Sequence, residues 1–159
     1  MKKTNLKTLI ISILIPLVTG FLSYFLSRSG MAYYETLNKP ALNPPSILFP
    51  IVWTILYILM GISSYIVYTS DSPFRQKALK WYIIQLIFNF GWSIIFFGFS
   101  KFLFAYIWLL ILIAAIVVMI YYFYKVKPIA AYLQIPYLLW CIFAAYLNLS
   151  IYFLNPPTL

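Results

Sequence analysis

The chain reads as an all-α membrane protein, a bundle of five transmembrane helices, and three observations carry that reading. Hydrophobic residues make up 65% of the chain and charged residues 8%, with a mean hydropathy of +0.96, far from the balance of a soluble domain. The apolar residues gather into five separable runs, at about residues 6–27, 47–69, 79–99, 102–124 and 129–154. Each is long enough to cross a hydrocarbon layer of about 30 Å as a helix. The runs lack alternating polarity, which argues against membrane strands.

The run 6–27 follows Lys2 and Lys3, as a secretory leader would. Its apolar span is too long for one and no Ala-x-Ala-like site follows, so a retained helix is expected. Next comes a polar segment, 28–46, whose end Lys39-Pro40-Ala41-Leu42-Asn43-Pro44-Pro45 should be stiff. Each X-Pro step biases the preceding residue toward extended geometry. Asn43 is expected to cap the second helix, with Pro44 at its first position. Inside that helix Trp53, Tyr57, Met60 and Gly61 fall at i, i+4, i+7 and i+8, which is one face. A stiff lid over an aromatic helix face implies a covered pocket for a flat, apolar ligand.

In the third run Gln85, Asn89 and Trp92 share a face, and in the fifth Tyr137, Trp140, Ala144 and Asn148 do. Amides are costly in hydrocarbon, so both faces should turn inward and find partners. Asn89 and Asn148 equally suit plain interhelical hydrogen bonds. Pro136 should loosen the start of the fifth run. Tyr121, Tyr122 and Tyr124 suit an interfacial aromatic belt. Gly20, Gly91 and Gly98 fit close helix packing, and Gly91 with Gly98 would also suit a dimer face. The short connections leave room for a single domain over 1–159.

The net charge of +9 points to membrane orientation rather than to nucleic acid, because the basic residues flank the helices. Lys2, Lys3, Lys7, Arg75, Lys77, Lys80, Lys125 and Lys127 fall on one side, and Arg28, Lys39 and Lys101 on the other. The positive-inside rule then puts the N-terminus in the cytoplasm and the lid outside. No basic face is left for nucleic acid once the helices are in lipid.

Absences narrow the chemistry. Histidine is missing and the only acids are Glu35 and Asp71, both in or near loops. No carboxylate at membrane depth can relay protons, and no Ser/His/Asp set or metal site can be assembled. Axial ligation of a haem iron would fall to Cys141, a tyrosine or a methionine. No tightly held cofactor is expected. The single cysteine excludes an internal disulfide.

Three cassettes stand in order. They are Tyr34…Leu37-x-Lys39-Pro40…Pro44-Pro45…Trp53-x-x-Leu56-Tyr57-x-x-Met60-Gly61, Gln85-Leu86-x-x-Asn89-x-x-Trp92…Phe96-Phe97-Gly98, and Pro136-Tyr137-x-x-Trp140-x-x-Phe143-Ala144-x-x-Leu147-Asn148. In these the chain resembles the TspO/MBR family of tryptophan-rich sensory and translocator proteins, once called peripheral benzodiazepine receptors. The resemblance runs from about residue 33 to 148. It implies a five-helix bundle, a homodimer, and a pocket closed by the first loop. It implies binding of porphyrins such as protoporphyrin IX and of isoquinoline carboxamide or benzodiazepine-type ligands. By their motif positions Trp53, Asn89, Trp92 and Trp140 would line the pocket, with Tyr34, Pro44, Gln85, Ala144 and Asn148 around it. Tyr57 and Tyr137 join them from the inward faces.

Leu42 and Tyr33 stand where the family often has tryptophan, and Trp108 where its fourth helix often has aspartate. No basic residue follows Tyr152, so the family's sterol motif is incomplete and sterol binding is not carried over. Nine lysines to two arginines, and no transit peptide, point to a bacterial plasma-membrane member. Three functions compete: a porphyrin receptor or stress sensor without turnover, a light- and oxygen-dependent porphyrin breakdown, and transport of porphyrin or lipid. In the second, Trp53 and Trp140 would be the redox-active groups, which is why no general base is needed. Against the third, no inverted repeat or broken helix pair is visible.

Overall fold

The computed structural model describes residues 5–156. Among them five helical spans are long and apolar enough to cross a membrane: Leu6–Thr36, Leu48–Tyr68, Arg75–Gly98, Phe102–Val126 and Pro128–Leu154. No strand occurs among the described residues. Lys2 and Lys3, which enter the charge argument, lie outside them.

Helix α1, Leu6–Ser27, is capped by Asn5, whose side chain accepts from the Thr8 backbone N–H at 3.2 Å. The chain does not leave helical geometry at residue 28, as the loop expectation had it. A 3₁₀ turn, Arg28–Gly30, leads into a short helix α2, Met31–Thr36. The reason is packing: Tyr34 is buried, its ring edge-on to Phe97 at 5.1 Å and tilted against Phe96 at 5.9 Å. Gly30 lets this turn approach the Phe97 carbonyl so closely that any Cβ would collide with it.

Helix α3, Leu48–Tyr68, begins later than expected. Its N-cap is Ile47, without a side-chain cap, so Asn43 and Pro44 do not open the helix. Consecutive prolines hold Asn43 and Pro44 away from the helical region, and the first turn bond is Leu48 N–H to the Pro45 carbonyl at 2.9 Å. Asn43 instead holds the lid, accepting from the Tyr34 hydroxyl at 3.2 Å.

Helix α4, Arg75–Ser93, starts before the apolar run and takes in Arg75, Lys77 and Lys80, whose long stems suit a membrane boundary. It ends in a π-helical turn, Ile94–Gly98. Helix α5 is Phe102–Val126. The fifth run is not one continuous helix. It divides into α6, Pro128–Tyr132, and α7, Ile135–Leu154, with Pro136 in the first turn of α7. Pro136 has no N–H to return to the preceding turn, so the ladder breaks at Leu133 and Gln134.

The helices alternate in direction, so α4 and α7 run parallel and both end beneath the lid. There Asn155 ties α7 to the lid: its Oδ1 accepts from Asn38 N–H and its Nδ2 donates to the Asn38 carbonyl, each at 2.9 Å. Gly61 lets α3 cross α1 at the Ile13 backbone. Gly91 is covered by the Trp108 indole of α5, whose Nε1 donates to the Phe88 carbonyl at 2.8 Å. Gly91 thus gives close packing against α5, as one of its two expected uses. Gly98 has only ordinary contacts around a would-be Cβ, at 3.7 Å and beyond, so close packing does not explain it.

Candidate functional site

Between the lid and the middle of the bundle lies a cavity of about 600 Å³, within the range of small-molecule sites. Its wall draws on α1, α3, α4, the π turn and α7, and α2 roofs it with Tyr34 and Glu35. The π turn matters here because its wider spacing lets the adjacent Phe96 and Phe97 both face the cavity and grip Tyr34.

The wall is built of rings. Trp53 stacks on Tyr57 at 5.5 Å with 28° between planes and lies 6.3 Å from Trp92. Trp92 stacks in turn on Phe96 at 5.5 Å and 26°. Across the cavity Phe49 meets Trp140 edge-on at 6.0 Å. Such offset and edge contacts fix ring planes without filling the space between them. Gly20 makes room on α1 for the Tyr57 ring, which a Cβ there would strike.

Two amides organise the polar side. Asn148 spans two elements: its Oδ1 accepts from Trp92 Nε1 at 3.1 Å and its Nδ2 donates to the Phe102 carbonyl at 2.8 Å. It holds the Trp92 indole in place. Asn89 sits in a chain. Tyr57 Oη donates to Asn89 Oδ1 at 2.8 Å, Asn89 Nδ2 donates to Tyr137 Oη at 3.0 Å, and Tyr137 Oη donates to Gln85 Oε1 at 2.7 Å. Asn89 lines the cavity and keeps a second amide hydrogen and a second lone pair beyond these bonds. The indole N–H groups of Trp53 and Trp140 have no hydrogen-bond partner among the described residues, unlike those of Trp92 and Trp108. A ligand acceptor could use either.

The lid carries its own polar set. Ser46 donates to Glu35 Oε1 at 2.9 Å, and Lys39 lies 3.8 Å from Glu35 Oε2 and 4.8 Å above the Tyr34 ring. These bonds tie the two arms of the lid together above the cavity.

Of the residues singled out from the sequence, Tyr34, Trp53, Tyr57, Asn89, Trp92, Trp140, Ala144 and Asn148 line this one cavity. Gln85 and Tyr137 do not. They are buried behind Asn89, with the Tyr137 ring edge-on to Trp53 at 6.2 Å. Pro44 is not on the wall either; it serves the lid's turn. Sequence reasoning missed the contribution of α1, where Leu17, Gly20, Phe21 and Tyr24 line one side. A signal was available: Ser23 and Ser27, one turn apart in a mostly apolar helix, mark its inner face with Ser12. Ser23 donates to the Phe90 carbonyl at 2.8 Å and Ser27 meets Ser93 at 3.2 Å. Glu35 and Ser46 were missed because the lid's fold was not foreseen.

Comparison with known proteins agrees with this architecture. The TspO/MBR family profile matches residues 12–154. The tryptophan-rich protein TspO of Archaeoglobus fulgidus is 38% identical over 152 residues, covering 95% of this chain and 99% of that protein. The protein of the same name from Chlorobaculum tepidum is 40% identical over 154 residues, covering 94% and 96%. The translocator protein of Homo sapiens is 36% identical over 133 residues, covering 82% and 79%. With five spans, a lidded cavity and similarity over nearly its whole length, the chain is a multi-pass integral membrane protein and belongs to the TspO/MBR family.

Proposed function

We propose that the protein is a membrane receptor that binds porphyrins of the protoporphyrin IX type, and isoquinoline carboxamide-type ligands, in the cavity beneath the lid. The observation that carries this reading is the pairing of flat ring surfaces with unspent donors in one space of about 600 Å³. Trp53 and Trp92 offer flat faces, while Asn89, Trp53 and Trp140 offer N–H groups to a ligand's polar edge. A flat macrocycle burying several hundred Å² there gains on the order of 10 kcal/mol gross, before ordering costs. The chain works as one domain over 1–159, as a homodimer, with its N-terminus cytoplasmic.

A second reading gains support from the same free indoles: light- and oxygen-dependent breakdown of the bound porphyrin, with Trp53 and Trp140 as the oxidisable groups. Both line the cavity, and neither N–H is tied down. The name "translocator protein" among its relatives raises transport as a third.

The deciding experiment titrates purified protein with protoporphyrin IX, following Trp fluorescence and Soret absorbance in the dark and then under light. A receptor gives saturable quenching and a Soret band that outlasts illumination as free porphyrin does. Faster decay that disappears in the Trp53→Phe, Trp140→Phe double variant would establish breakdown. Protein-dependent porphyrin uptake into vesicles would establish transport, and an absence of quenching would refute the receptor reading.

A further inference from the structure

Four buried side-chain atoms have no hydrogen-bond partner among the described residues: Oη of Tyr82, Nε2 of Gln85, and both Oε1 and Nε2 of Gln134. Gln85 and Gln134 are 0% exposed and Tyr82 4%. Reversing the Gln134 amide changes nothing, because neither end has a partner. Reversing Gln85 would only exchange a lone Nε2 for a lone Oε1.

These side chains fall on two neighbouring turns of the bundle. Tyr137 Oη bonds Gln85, which pins α7 to α4 at one of them. Tyr82 precedes Gln85 by three residues and Gln134 precedes Tyr137 by three. Because α4 and α7 run parallel, both lie one turn further from the lid. Helix α3 closes the third side. Ser63 donates to the Ala130 carbonyl of α6 at 2.6 Å, and Ala130 is one turn from Gln134. The Ser64 hydroxyl lies beside that of Tyr82 but is committed as a donor to the Gly61 carbonyl at 3.0 Å. Both serine oxygens keep acceptor capacity.

We propose that the space between these two turns is an internal water site, held by Gln134, Gln85 and Tyr82 with Ser64 at its edge. Water is the occupant that the donor set selects. Gln85 Nε2 and Gln134 Nε2 need an acceptor, Gln134 Oε1 needs a donor, and a tyrosine hydroxyl takes either role. No charged side chain is buried among the described residues to hold an ion there, and buried waters characteristically bridge two to four such groups. The site also terminates the chain that starts on the cavity wall. Tyr57 donates to Asn89, Asn89 to Tyr137 and Tyr137 to Gln85, so the last free donor, Gln85 Nε2, points the series at the water. The cavity is thereby joined by hydrogen bonds to a hydrated level on the far side of the packed middle.

The first test is a crystal structure of the unliganded protein at a resolution that shows ordered water. Density within hydrogen-bonding distance of at least two of the four atoms is expected. A well-ordered site without it, or with the glutamines bonded directly to one another, overturns the proposal. The second is a double-mutant cycle in a fixed detergent with Gln134→Leu, Tyr82→Phe and both. Partners of one water couple, so each single change should lower the unfolding midpoint by a few degrees and the double should fall short of their sum. If no water is bound, Gln134→Leu removes an uncompensated buried amide, and the midpoint rises with additive effects. Should Gln134→Leu fail to fold, the density alone decides.

Discussion

The half of the bundle under the lid and the half away from it use the same apolar alphabet to opposite ends. Near the lid the rings of Trp53, Trp92, Phe96 and Trp140 stand apart and enclose a cavity. Away from it Val67, Ala78, Ile116, Met119 and Phe123 are all 0% exposed. The difference is one of shape. Rigid planar side chains fixed by edge and stacking contacts cannot close on one another, whereas flexible Met and branched aliphatics fill whatever gap remains. Stability and recognition are thus separated along the membrane normal, and substitutions should sort by level.

The largest effect should come where the packed half depends on a missing side chain. Gly61→Val sets a Cβ against the Ile13 backbone, and backbone cannot swing away as a side-chain tip can. Overpacking of this kind costs about 3 kcal/mol, so the unfolding midpoint in a fixed detergent should drop sharply. Gly98→Ala, whose Cβ would meet atoms no closer than 3.7 Å, should leave it nearly unchanged. Equal effects at the two glycines would remove the distinction drawn between them.

Next in size is Asn89→Leu, at the boundary between the halves. It strands the Tyr57 hydroxyl as a donor and withdraws a donor from Tyr137, both inside the bundle. Leaving buried polar groups unmatched costs about 2 kcal/mol, and ligand affinity should fall with stability. A variant that lost affinity at full stability would confine Asn89 to the cavity and detach it from the chain behind.

What could be read in the residues followed the same division. The spans and inward faces were legible because hydrocarbon forces polar groups such as Gln85, Asn89 and Asn148 to one side of each helix. The ends of elements were not. Asn43 has the identity of an N-cap, yet two prolines after it postpone the helix to Leu48 and its side chain goes to Tyr34 instead. Pro136 announced a disturbance but not whether it would kink one helix or end another. The α1 wall was hidden because Leu17 and Phe21, which face the cavity, look no different from the lipid-facing residues beside them. Gly20 and the buried serines Ser12, Ser23 and Ser27 marked the inner face. Glu35 entered the roof through α2, whose helix depends on the distant ring of Phe97 and so has no local signature.

A purely recognition effect is expected from Trp53→Ala. The ring is only half-buried, and its loss should cost the unliganded bundle little. A stacked aromatic is worth about 0.5–1.5 kcal/mol beyond its area, so porphyrin affinity measured by Soret titration should weaken about tenfold. An unchanged affinity would move the ligand off the Trp53–Trp92 face.

The smallest equilibrium effect, and the most telling about the lid, should come from Asn155→Ala. Its side chain copies the hydrogen bonds of a neighbouring strand, one to the Asn38 N–H and one to its carbonyl, both at 2.9 Å. These groups are exposed, so water replaces what is lost and the net cost stays near 1 kcal/mol or below. The lid keeps its second anchorage, in which Tyr34 lies between Phe96 and Phe97 and bonds Asn43. A latch that only closes the lid raises its opening rate when removed. Stopped-flow quenching should therefore show association and dissociation both faster by a few fold, with Kd almost unmoved. If only dissociation changed, Asn155 would be stabilising the occupied state itself. The latch would then belong with Trp53 among the residues that hold the ligand.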